Sequence, residues 1–497
     1  MRDAKTVNRS RIWLIGLFCG LVSVQANAQD RPNVLMILVD DLKPSFAAYG
    51  EEWVHSPNLD RLAARGMRFD AAYCNQAVCA PSRNNLLLGA RSTSLGIYGL
   101  GYHFRRAYPD AVTLPQYFMQ QGYHVAGIGK VFHIGHGNKN DESSWSVPFL
   151  PDKVIDYVLP ESTDGKLTRE EALFSNQSAR GLPRGAAWEA ADVEDDAYAD
   201  GRIASKGIER LRHFHDQADH FPFFLVLGFT KPHLPFCAPR KYWQLYDRQK
   251  LPQPAIRKYP DGAPAYAAKW ELGELNQYKP VPQKLPLDDQ LERTLIHGYY
   301  ASLSYMDAQL GRVLDELERL GLDDNTIVLL WGDHGYHLGD HGAWTKHTNY
   351  EQANRIPLVI SAPGVTQPGS STRALVESVD LFPTLVELAG LAPFQGEQPW
   401  DGMSLLPVLH DPQNSIRDHA YHCYPRGKRM GRAIRTARHR LVEWKEIGAS
   451  PETAQYELYD YEQDPLETRN LAEEDQDNLR RLIAILKKHP EARPAHR

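Results

Sequence analysis

Cys79, Ala80, Pro81, Ser82 and Arg83 form a run in which a thiol precedes a proline and an arginine just where a helix is about to begin. Residues 84–88 have helix-compatible composition, so Cys79 is expected at or near a helix N-terminus. Free backbone N–H groups and the helix dipole favour anions at such a place. Arg83, one turn on, adds a fixed cation with forked donors. The chemistry this arrangement favours is the handling of an oxyanion of the sulfate or phosphate type. Alone, the same run also describes a small buried hydrophobe, so the weight falls on what accompanies it.

Acidic and basic residues recur at the ends of apolar runs. Asp40-Asp41 follows residues 34–39, and Asp333-His334 follows residues 326–331. Adjacent carboxylates repel unless a cation or protons sit between them. Three carboxylates with a fourth donor suit Ca²⁺ or Mg²⁺, which prefer oxygen ligands. An isolated Asp-Asp pair also fits a helix N-cap. The stretch from Asp333 to His341, with His337 and Asp340, is rich enough in His and Asp for zinc, or these residues order a polar loop. Lys130 and His133 follow residues 123–128, His233 follows residues 222–229, and Lys346 and His347 follow Trp344-Thr345. A cation, these donors and Arg83 around one crevice would stabilise charge on a transferred sulfuryl or phosphoryl group.

Something must bring residues hundreds of positions apart together. Residues 34–39 read as a strand buried on both faces, and 123–128, 222–229 and 326–331 as further strands. Residues 59–65, 114–121, 291–320 and 379–388 read as helices, and 356–360 as a further strand. This alternation predicts an α/β fold, a large mostly parallel or mixed sheet sandwiched by helices. In such sheets ligands bind beyond the strand C-termini, where the polar residues fall. From about residue 412 the texture changes. Residues 419–424, 433–436, 441–444 and 456–461 read as short antiparallel strands and 466–486 as helical, a smaller C-terminal α+β subdomain. The expected organisation is a leader at 1–28, a catalytic domain at 29–411 and this subdomain at 412–497.

The chain has 497 residues, 42% hydrophobic and 24% charged, enough for one large core plus a smaller partner. A net charge of −6 gives no reason to expect nucleic acid or an anionic membrane as partner. Arg2, Lys5, Arg9 and Arg11 precede an apolar run at 12–24, and Ala26-Asn27-Ala28 offers a cleavage pattern. That run is short of a membrane span, so a secreted or periplasmic protein without an anchor is expected. Beyond it lie Cys74, Cys79, Cys237 and Cys423, whose spacing matches no zinc pattern. If Cys79 is chemically committed, at most one disulfide can form among the rest.

With these residues in place the chain resembles a type I sulfatase of the alkaline-phosphatase-like superfamily, within the iduronate-2-sulfatase group. The matching runs begin with Asn33-Val34-Leu35 through Val39-Asp40-Asp41-Leu42, Ala77-Val78-Cys79-Ala80-Pro81-Ser82-Arg83 and Gly129-Lys130-Val131-Phe132-His133. They continue with Ser144-Trp145-Ser146, Lys231-Pro232-His233-Leu234-Pro235-Phe236, Asp333-His334-Gly335 and Trp344-Thr345-Lys346-His347. The resemblance covers residues from about 31 to 475. It implies conversion of Cys79 to formylglycine by a maturation enzyme, with the hydrated aldehyde as nucleophile. It implies Ca²⁺, with Mg²⁺ as the other hard cation, held by Asp40, Asp41, Asp333, His334 and the Cys79-derived group. Arg83 would hold that hydrate, Lys130 and His133 would contact it, and His233 and Lys346 would bind the sulfate of a sulfated saccharide. Arg426, Lys428 and Arg429 would meet a uronate carboxylate, or form a solvated turn. A phosphoesterase of the same superfamily and a non-catalytic glycan-binding relative are the alternatives. One departure stands out. Where the family has Leu-Thr-Gly-Arg, this chain has Leu87-Leu88-Gly89-Ala90-Arg91, displacing an arginine that in the family aids maturation and helix packing.

Overall fold

The computed structural model describes residues 31–217, 221–267 and 272–496; the expected leader lies outside them. Seven strands make the main sheet: β1 (Asn33–Val39), β2 (Met67–Phe69), β3 (His124–Gly129), β4 (Phe223–Phe229), β5 (Thr326–Gly332), β6 (Leu358–Ser361) and β7 (Ser370–Thr372), in the order β7-β2-β6-β5-β1-β4-β3. The four strands from β5 to β3 are parallel, and β6 runs antiparallel to β5 and β2. The sheet is therefore mixed around a parallel centre.

The continuous apolar run of β1 explains its central position. Val34, Met36 and Leu38 enter one core while Leu35, Ile37 and Val39 enter another, because alternate strand residues face opposite ways. Each of these fully buried side chains contributes on the order of 2 kcal/mol before entropy is counted. Eight helices matter here: α1 (Pro57–Arg65), α2 (Cys79–Leu88), α3 (Leu114–Gln120), α4 (Arg169–Phe174), α5 (Ala199–His215), α6 (Asp289–Arg319), α7 (Leu381–Leu388) and α8 (Gln476–Leu486). Leu86, Leu114, Phe118 and Phe382 of α2, α3 and α7 fill the first core. Leu59, Ile203, Leu303 and Leu310 of α1, α5 and α6 fill the second. The 31-residue α6 begins where the Asp288 carboxylate accepts from the Leu291 N–H at 2.8 Å, an N-cap.

Two expectations need correction. The strand at 356–360 is divided: Arg355–Ile356 pairs with Ala72–Tyr73 in a small sheet, and β6 starts only after Pro357, which has no N–H to offer a ladder. The helical stretch at 466–486 is helical only in α8. Asp475 caps it by accepting from the Asn478 N–H at 3.1 Å, whereas Asp464 gathers the Thr468 and Arg469 N–H groups into turns.

Near the C-terminus, β8 (His419–Arg426), β9 (Arg429–Thr436), β10 (His439–Glu446) and β11 (Gln455–Asp460) form a separate antiparallel sheet. Leu479, Leu482 and Leu486 of α8 pack on its Tyr421, Ile434, Leu441 and Leu458. The displaced Arg91 is not idle. Its guanidinium forks onto Glu377, with two contacts of 2.8 Å, so it ties the end of α2 to the strand Val376–Glu377. All four cysteines from Cys74 onward are buried and unbridged.

Register converts these pairings into a site. Val39 lies opposite both Gly332 and Phe229, and Gly129 lies opposite Gly228. Asp40, Asp333, Thr230 and Lys130 therefore leave the sheet along one edge. Gly228 is required there, since a Cβ on it would fall 2.1 Å from the Lys130 carbonyl oxygen. Gly228→Ala is accordingly expected to cost about 1–3 kcal/mol of unfolding free energy. Urea denaturation checks this; unchanged stability would mean the two strand ends are less tightly apposed.

Candidate active site

Cys79 is the first residue of α2, preceded by Val78 in extended conformation, and every residue of that helix is buried. The helix N-terminus so points at the strand edge. Arg83, fully buried, is the keystone. Its Nε donates to Asp333 Oδ2 at 3.1 Å, Nη2 to Asp40 Oδ1 at 3.3 Å, and Nη1 to the carbonyls of Lys130 and Val131. Ser82 Oγ donates to the Asp333 carbonyl at 2.5 Å. One turn of helix thus ties together the ends of β1, β3 and β5.

Neither Asp40 nor Asp41 caps a helix; both carboxylates turn into the crevice. Asp40 accepts from Lys130 Nζ. Asp41 sits at φ 58°, a left-handed conformation uncommon for a non-glycine residue, and strain of this kind clusters at functional sites. Its N–H donates to Asp333 Oδ1 at 3.0 Å and its carbonyl accepts from Tyr299 at 2.8 Å, which hold it there. Its carboxylate accepts from Lys346 Nζ at 3.0 and 3.2 Å. His334 places Nε2 3.3 Å from Cys79 Sγ.

Donor atoms of Asp40, Cys79, Asp333 and His334 all lie within 4.8 Å of one another, and those of Asp41, Cys79 and His233 form a second such group. Asp41 stands outside the first group; its carboxylate contacts Lys346 Nζ and lies 3.4 Å from His334 Nδ1. Two carboxylates and an imidazole beside residue 79 could hold a divalent cation. Burial, and next the Asp40 charge, push the Asp333 carboxyl well above the usual range; a cation between the two carboxylates would offset that repulsion. Burial opposes ionisation of Asp40 too, but Lys130, His233 and Arg83 outweigh it and hold its carboxyl low. Burial and the nearby Asp40 and Asp333 raise the Cys79 thiol, more than Lys130 and Lys346 lower it.

The remaining expected residues surround this centre. Burial and then Lys130 push His133 well below the usual histidine range; its Nε2 lies 3.3 Å from His136 Nδ1. His233 contacts the Leu234 carbonyl through Nδ1, leaving Nε2 toward the site, and is pushed down to about 3 by burial, Lys130 and Lys346. His337 and His341 do not join the site. His337 contacts the Asp340 carbonyl at 3.1 Å and Thr348 Oγ1 at 2.8 Å, and His341 the Leu466 carbonyl at 2.8 Å; they order the loop. Of the basic trio, Arg426 reaches the site rim, donating to the His347 carbonyl over the Tyr424 ring, while Lys428 and Arg429 are exposed.

Three further residues line the crevice. Phe174, at the end of α4, covers the crevice with its ring centre 5.3 Å from Lys130 Nζ and 5.7 and 5.8 Å from the rings of His133 and His233. His136 backs His133. Glu274 accepts from Lys346 Nζ. None carries a motif; only the folding of distant loops over the strand edge brings them in.

The fold belongs to the alkaline-phosphatase-like class of ester hydrolases. A family model described as sulfatase matches residues 32–391, and one described as N-sulphoglucosamine sulphohydrolase, C-terminal, matches 339–492. The chain belongs to the sulfatase family and is a sulfuric ester hydrolase. It is 32% identical to iduronate 2-sulfatase of Mus musculus over 93% of this chain and 95% of that protein. Among solved structures, a protein in complex with its substrate D-glucosamine-2-N,6-O-disulfate superposes with a TM-score of 0.70 at 23% identity, covering 92% of this chain and 97% of that one. The phosphonate monoester hydrolase of Agrobacterium radiobacter superposes at 0.71 and 22%, covering 93% and 96%. These likenesses show the shared fold.

Replacing Arg83 tests the keystone. Arg83→Met leaves buried carboxylates unpaired, which costs about 3–5 kcal/mol, and activity should fall at least about 100-fold. Arg83→Lys should recover only part of either, lacking the fork. Denaturant midpoints and sulfate release measure both, and a fully active Lys variant would contradict the assignment.

Proposed function

We propose that this enzyme hydrolyses sulfate esters of a sulfated carbohydrate, a 2-O-sulfated uronic acid of a glycosaminoglycan or marine polysaccharide, outside the cytoplasm after removal of residues 1–28. The observation that carries the reading is the seating of Cys79 on a helix N-terminus, among Arg83, Asp40, Asp333 and His334, with Lys130, His233 and Lys346 around it. Support for the substrate class comes from the iduronate 2-sulfatase likeness and from Arg426 at the rim, whose fork suits a carboxylate.

A protonated buried thiol is a poor nucleophile, and the maturation step proposed for Cys79 answers that difficulty. As a hydrated formylglycine, the residue offers one hydroxyl to attack sulfur and a second whose deprotonation expels sulfate. Arg83 and Lys130, whose charges act on position 79, would orient that hydrate. Asp40, Asp41, Asp333 and His334 would hold Ca²⁺, or Mg²⁺ in its place, together with the oxygen at position 79. Such a cation would acidify that oxygen and neutralise ester charge.

The chain's own donors divide the remaining work. Lys346 Nζ and His233 Nε2 receive sulfate oxygens on the open side. Burial, Lys130 and Lys346 hold the His233 pKa low despite the nearby Asp40 and Glu274, but an anionic ester beside it favours the imidazolium, so its role as acid toward the leaving alcohol is coupled to substrate binding. His133, with Nε2 engaged by His136 and Nδ1 unpartnered, would accept on Nδ1 the hydroxyl proton whose loss releases sulfate. Phe174 excludes water over these groups, which strengthens each charge interaction beneath it.

Protein expressed with a formylglycine-generating enzyme and screened against defined sulfated di- and oligosaccharides is expected to release sulfate from 2-O-sulfated uronates. The Cys79 peptide should be lighter by the thiol-to-aldehyde difference, and Cys79→Ala should be inactive. Full activity in Cys79→Ala would refute the nucleophile assignment; preferential turnover of phosphate esters would favour the phosphoesterase reading.

A further inference from the structure

We propose that Glu274 is a specificity residue of the sulfate pocket: its carboxylate is the internal anion that a substrate's sulfate replaces on Lys346, and it restricts the pocket to singly charged esters. The inference rests on the reading that Lys346 and His233 receive the sulfate.

Glu274 lies in the short turn Gly273–Gln277. Its Oε1 accepts from Lys346 Nζ and stands 3.9 Å from His233 Nε2, so one carboxylate oxygen already engages both groups assigned to the ester. The turn is anchored. Leu272, Leu275 and Tyr278 are buried on either side of the glutamate. Gly273 has φ +56°, and a Cβ on it would meet Thr345 Cβ at 2.6 Å, so its backbone lies directly on the residue before Lys346. Within this fixed turn the Glu274 side chain keeps 24% of its surface exposed, against 2% for Lys346. Burial disfavours its charge, but Lys346, His233 and His347 outweigh that and keep it ionised.

Lys346 has few donors to spare. An ammonium carries three N–H bonds, and Asp41 and Glu274 both draw on them. A sulfate oxygen that engages Lys346 fully must displace Glu274, whose exposed side lets it swing outward without moving the anchored backbone. The displaced carboxylate stays within one side chain's reach of the transferring group. A sulfate monoester brings a single negative charge there, whereas a phosphate monoester carries close to two near neutral pH and meets stronger repulsion. Glu274 thus opposes every anion and opposes dianionic esters most.

Two readouts on the full-length, matured enzyme test this: calorimetric binding of inorganic sulfate, and the ratio of kcat/KM for 4-nitrophenyl phosphate to that for 4-nitrophenyl sulfate. Glu274→Gln and Glu274→Ala are expected to bind sulfate about tenfold more tightly and to move the ratio about tenfold toward the phosphate ester, through KM more than kcat. Lys346→Ala is expected to lose sulfate affinity. Unchanged or weaker sulfate binding in both Glu274 variants, with Lys346→Ala still impaired, overturns the role of Glu274 alone. Undiminished sulfate binding in Lys346→Ala overturns the pocket assignment beneath it. The alanine variant stands in if the glutamine variant does not fold, and a merely structural role would move neither the affinity upward nor the ester ratio.

Discussion

The Arg83 guanidinium, locked between Asp40 and Asp333, is the contact on which the rest of this structure depends. Two carboxylates forced together in a dry interior repel strongly, and only a counter-charge with planar, forked donors can satisfy both at once. Arg83 does so while also donating to the carbonyls of Lys130 and Val131. It therefore fastens α2 to the ends of three parallel strands and fixes where residue 79 points. The apolar cores on both sides of the sheet supply the stability that lets so much charge be buried.

That burial is poor design for stability alone. Buried ion pairs are commonly no more stabilising than apolar packing of the same volume. Here Asp40, Asp41, Asp333, Arg83, Lys130 and Lys346 are all within the interior, and Asp41 adds a strained backbone. Local rules broken this densely at a strand edge mark a site built for reactivity. Its donors are arranged so that an anion, a divalent cation and a modified residue 79 would each relieve a specific electrostatic imbalance.

Much of this was legible in the chain. The doubly buried strands β1, β4 and β5 announced themselves as unbroken apolar runs, and the residues following them, Asp40, His233 and Asp333, were placed by the general geometry of parallel sheets. Cys79 and Arg83 were readable because a helix start constrains both in one turn. Elements whose limits depend on tertiary partners were less legible: Pro357 divides what looks like one strand, and only the Asp475 cap locates the start of α8. His337 and His341 have the composition of a metal site, yet both His337 nitrogens and His341 Nε2 are spent on loop carbonyls and Thr348. Conversely, Phe174, His136 and Glu274 have no local signature. They reach the crevice because long connections fold back across the strand edge, and spacing in a sequence carries no record of that.

If these converged charges form a one-cation site completed by residue 79, elemental analysis of the purified, matured enzyme will find one calcium or magnesium ion per chain, lost in Asp40→Asn and in Asp333→Asn. Two zinc ions per chain, or a bound ion indifferent to both substitutions, would contradict it.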